Sequence, residues 1–76
     1  MLTLKYNPAS MRYDCYKGSK YITTLTCGTR FNLYCDDEGM LVAGRIEYHS
    51  IYGDYFIGDD EISIMYLYSG LEGVLQ

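Results

Sequence analysis

Seventy-six residues make one small domain, residues 1–76, whose modest core gains margin from a disulfide, a metal or an oligomeric partner. Ten acidic residues against six scattered basic ones give a net charge of −4, with no basic stripe for phosphate, so direct nucleic-acid binding is disfavoured. Three cysteines, Cys15, Cys27 and Cys35, are an odd number without a CxxC pair, which argues against a disulfide framework and against zinc.

No apolar run is long enough for a membrane span, and Met1 to Lys5 lacks a basic start followed by a hydrophobic run. A cytoplasmic, reducing setting is therefore expected, with the thiols free and buried as small hydrophobes.

Short β-like runs broken by turn residues follow one another along the chain, the rhythm of an all-β protein. "LTLKY" puts Leu2, Leu4 and Tyr6 on one face, and Asn7-Pro8 opens a turn. "RYDCY" sets Tyr13 and Cys15 on one side before a tight turn at Gly18. "KYITTLT" is rich in β-branched residues. "RFNLYC" alternates Phe31, Leu33 and Cys35 inward, and "DDEG" reads as a hairpin loop. In "MLVAGRIEYH" Gly44 suggests a bulge or sharp bend, with Ile46 and Tyr48 facing the core beyond it. "DYFIG" returns after a turn at Gly53. Over "EISIMYLY" the pattern fits a strand, or a short helix or 3₁₀ turn near 60–68 capped by Asp59-Asp60. The fold expected is a small antiparallel, strongly bent sheet or SH3-like barrel of about five or six short strands.

Five short motifs, "RYD" (Arg12 to Asp14), "LTCG" (Leu25 to Gly28), "RIEY" (Arg45 to Tyr48), "YF" (Tyr55-Phe56) and "GLEG" (Gly70 to Gly73), span most of the chain. In these the sequence resembles a family of short uncharacterised proteins from Gram-positive bacteria and their phages and mobile elements. It departs from that pattern in having no tryptophan ahead of "RIEY". The resemblance implies a small β fold and a mobile-element origin, and no mechanism.

His49, the only histidine, stands near Glu47, Asp54, Asp59 and Asp60, which invites an acid–base reading. A lone histidine at a strand end is more often a turn residue. The adjacent acids of "DDEG" and "GDDE" point to different faces of a turn and converge poorly on a cation, so no metal and no cofactor is expected.

Ten tyrosines and no tryptophan suit a strand-rich core or a recognition surface. Tyr66 and Tyr68 alternate with Met65 and Leu67, leaving a strand apolar on both faces. That favours self-association or partner docking, so a homo-oligomer is expected.

The leading functional expectation is a non-enzymatic interaction protein encoded by a phage or mobile element. It would bind, and so inhibit, a host protein with a basic surface, such as a nucleic-acid-dependent defence factor. Its surface would comprise Asp36, Asp37, Glu38, Tyr52, Asp54, Asp59, Asp60 and Glu61. One alternative is an oligomer sequestering a nucleotide signal, with Arg12, Arg30 or Arg45 on phosphate and tyrosines on the base. The other is an OB- or SH3-like nucleic-acid-binding module.

Overall fold

The computed structural model describes all residues, 1–76. Eight strands follow in chain order: β1 Leu2–Asn7, β2 Arg12–Lys17, β3 Lys20–Leu25, β4 Arg30–Cys35, β5 Met40–His49, β6 Gly53–Gly58, β7 Ile64–Tyr66 and β8 Glu72–Leu75. They form one sheet in the order β3-β2-β1-β8-β4-β5-β6-β7, with every pairing antiparallel. Two meanders, β1–β2–β3 and β4–β5–β6–β7, are thus stitched together by β8, which lies between β1 and β4.

The all-β class expected from the sequence holds. The strand count does not: the two further strands are the short β7 and β8, in the part where alternation was ambiguous. The sheet is open rather than a closed barrel, because β3 and β7 do not pair. No helix forms over 60–68. Asp60 does what a helix cap does, taking the backbone N–H groups of Ile62 and Ser63 at 3.0 and 2.9 Å. The chain then pairs with β6 in the register Tyr55↔Tyr66, Phe56↔Met65, Ile57↔Ile64, so strand pairing wins over local capping.

Curling brings the two ends of the sheet together. The Tyr13 hydroxyl on β2 donates to the Leu67 carbonyl at 2.8 Å, and Leu4 of β1 exchanges backbone hydrogen bonds with Gly70 and Leu71. The enclosed core holds Leu4, Leu25, Phe31, Leu33, Ile46 and Phe56. Each such side chain contributes roughly 1.5–3 kcal/mol of burial free energy.

The chain's two phenylalanines each lie over a glycine. A Cβ on Gly44 would collide with the Phe56 ring and the Ile57 carbonyl, and one on Gly73 with the Phe31 ring and the Asn32 carbonyl. Gly44 is therefore not a bulge: it pairs in register with Phe31 and with Gly58. The register shift of the sheet falls at Cys15/Tyr16, between β2 and β3.

Candidate functional site

In the second meander the β4–β5 and β6–β7 turns point one way along the sheet and the β5–β6 turn the other, but β4 pairs with the first half of β5 and β6 with the second, which staggers the turns. The acidic turns Asp36–Glu38 and Asp59–Glu61 nevertheless lie apart: the first follows the end of β4, while Asp59 sits beside Arg30 at the start of β4, and Tyr52 lies in the β5–β6 turn.

Beside the Asp36–Glu38 turn the sheet's bend leaves a groove of about 360 Å³. Leu33 and Val42, cross-strand partners on β4 and β5, form its floor with Phe56 of β6. Ile64 and Met65 of β7 make one wall; Cys35 and the turn Asp36–Glu38 make the other.

The two turns differ in how their charge is used. Asp59 pairs with Arg30 at 2.9 Å. Asp60 is held by Ile62, Ser63 and the Ser63 hydroxyl, and these hydrogen bonds keep its carboxyl below the usual range. Glu61 takes a positive φ of 63° at the corner. The fold's ion pairs engage Asp54, Asp59 and Glu47, leaving Asp36, Asp37 and Glu38 exposed and unpaired. Their field reaches into the groove: the Cys35 thiol is pushed up by its burial, then by Glu38, Asp37 and Asp36.

Asp54, expected on the partner surface, is inside. Its side chain is 1% exposed, with Arg12 Nη1 3.6 Å from Oδ1. Parity explains this, because Asp54 shares the inward face of β6 with Phe56. Burial pushes its carboxyl up, against the pull of Arg12.

Tyr52 is exposed as expected, in a row of rings: His49 at 4.9 Å on one side, Tyr66 at 5.5 Å on the other. His49 is the last residue of β5 and holds the turn that follows, its Nδ1 accepting the N–H groups of Ile51 and Tyr52. Tyr48 is exposed, not in the core; its ring faces the Arg12 guanidinium at 5.9 Å.

The other two arginines also face carboxylates. Arg45 Nε donates to Glu47 at 2.8 Å, and Arg30, its neighbour across the β4–β5 register, takes Asp59. Among the cysteines only Cys15 is buried, its thiol pushed up to about 11 by desolvation and Asp14. Cys27 is exposed and donates to Glu47 at 3.2 Å, a hydrogen bond that pushes the thiol up. No group of three or more His, Cys, Asp or Glu is placed to hold a metal ion, and no helix is long and apolar enough to cross a membrane.

A family model described as a domain of unknown function, DUF5348, matches residues 2–70. The chain belongs to the DUF5348 family. No curated protein and no solved structure matches it. The DUF5348 match takes in β1 to β7 and the groove's lining except Leu71; β8 lies beyond it.

The groove was not legible as a motif, since its lining is drawn from β4, β5, β6 and β7 and converges only through the bend. Its one trace in the sequence is the segment 61–68, apolar on both faces.

Proposed function

We propose that the protein is a non-enzymatic interaction protein that binds, and thereby inhibits, a host protein with a basic surface. A nucleic-acid-dependent defence factor is the class of target that suits it, because carboxylates on a stiff sheet can stand in for phosphates. Phage or mobile-element origin, in Gram-positive hosts and in the cytoplasm, belongs to the same proposal. The free thiols support the reducing setting.

One observation carries the reading: the unpaired acidic turn Asp36–Glu38 beside an apolar groove. Charge left unneutralised next to exposed apolar surface is the composition of a recognition surface, not of a merely solvated turn. Arg12, Arg30 and Arg45 each face a carboxylate, which supports protein binding over the nucleotide-binding alternative.

The test is capture from a host lysate by the tagged protein, followed by affinity measurement on the purified partner. The reading expects a basic partner whose affinity falls with salt. It also expects the partner to lose its target nucleic acid on binding. A partner bound equally well by the Asp36→Asn, Asp37→Asn, Glu38→Gln variant at all salt concentrations would overturn it.

A further inference from the structure

The reading of the protein as a binding module leaves open what chemistry the groove takes, and the following rests on that reading. We propose that the groove binds an extended protein segment, one apolar side chain seated on Val42 and Phe56 and Lys or Arg side chains beside Asp36, Asp37 and Glu38.

Three features converge on this occupant. The floor is apolar and the groove is at the small end of ligand-sized clefts, which run from roughly 300 to 1,000 Å³. It suits a side chain or two better than a helix face. The wall opposite β7 carries three unneutralised carboxylates, so the complement is cationic. A second copy of this chain would bring another net charge of −4 and its own acidic turn to this face, so the groove favours a cationic segment over a second copy. Finally, β7 ends the sheet order, so the outer backbone edge of Ile64–Tyr66 has no strand beside it. An extended segment can hydrogen-bond to such an edge while alternate side chains enter the groove. Exposed Ile62, Ile64, Tyr66 and Tyr68 flank that edge and would be covered by the segment.

The experiment is a ¹H–¹⁵N titration of the full chain with the capped peptide Lys-Leu-Arg-Phe-Lys-Leu-Arg and with its counterpart bearing Glu at every cationic position. The basic peptide is expected to shift amides of Tyr34 to Glu38, Val42 and Ile64 to Tyr66, and the acidic one none. Neutralising Asp36, Asp37 and Glu38 together should weaken binding about tenfold, as expected of exposed, individually weak ion pairs. Ile64→Lys, at a position 57% exposed, should keep the native spectrum and lose the peptide. Shifts scattered over other strands, equal response to both peptides, or none at millimolar peptide would overturn the proposal. So would a concentration-dependent dimer that covers the groove. A lysate partner bound equally by wild type and Ile64→Lys would overturn the groove while leaving the binding-module reading standing.

Discussion

Arg12 Nη1 lies 3.6 Å from Asp54 Oδ1, joining β2 to β6 although four strands, β1, β8, β4 and β5, separate them in the sheet. Neither Asp54 oxygen has a hydrogen-bond partner, and the side chain is buried. The pair therefore marks the seam along which the curled sheet meets itself.

Removing the two partners is expected to have unequal effects. Arg12→Ala leaves a buried carboxylate with no counter-charge and should cost about 2–4 kcal/mol at pH 7 by urea unfolding. Asp54→Asn leaves an arginine that is 38% exposed and free to turn to solvent, so its cost should be smaller. The double variant should recover part of the Arg12→Ala loss. Equal losses would mean that the pair itself, not the desolvated carboxylate, is what matters.

The pH dependence follows from the direction of the Asp54 shift. Its folded carboxyl is raised by burial, so the folded state binds the proton more tightly than the unfolded chain. This group's contribution therefore favours folding most below its unfolded pKa and fades as pH rises through the folded pKa. In Arg12→Ala the upward shift grows, and the variant's deficit should shrink on acidification. Unfolding curves at pH 7 and at pH 4 measure it.

Gly44 and Gly73, both buried, should be the least tolerant of the glycines. Gly44→Ala or Gly73→Ala pushes a methyl into the Phe56 or the Phe31 ring and against backbone. Overpacking of this kind costs about 1–3 kcal/mol. The same change at Gly18 or Gly39 meets open space, and there only the positive φ opposes it. Thermal unfolding of the four variants should separate the two pairs.

The thiols should label in order of exposure. Cys27 is expected to react first with a maleimide and Cys35 next. Cys15, buried with its thiol near 11, should react only on unfolding. Mass spectrometry of timed aliquots reads this order directly.

How much the sequence discloses depends on range. Period-two alternation is local, so it found the strands through β6 and the inward faces of Phe31, Leu33 and Ile46. It could also have placed Asp54 inward beside Phe56, had charge not argued for the surface. The insertion of β8 between β1 and β4 is set by pairings distant along the chain, and no local pattern carries it. The division of labour between the acidic turns was hidden for the same reason. Asp59 is neutralised by Arg30 from another hairpin, while Asp60 is spent on its own turn.

That division gives the most direct measurement of the account's central claim, which is that Asp36–Glu38 serves recognition while Asp59–Glu61 serves the fold. Two charge-neutralised variants, one per turn, are compared for affinity to the captured partner and for melting temperature. The account predicts that neutralising Asp36, Asp37 and Glu38 weakens the partner and leaves melting unchanged. Neutralising Asp59, Asp60 and Glu61 should lower the melting temperature and spare the affinity of the folded protein. Loss of partner confined to the second variant, or an affinity indifferent to both, would contradict it.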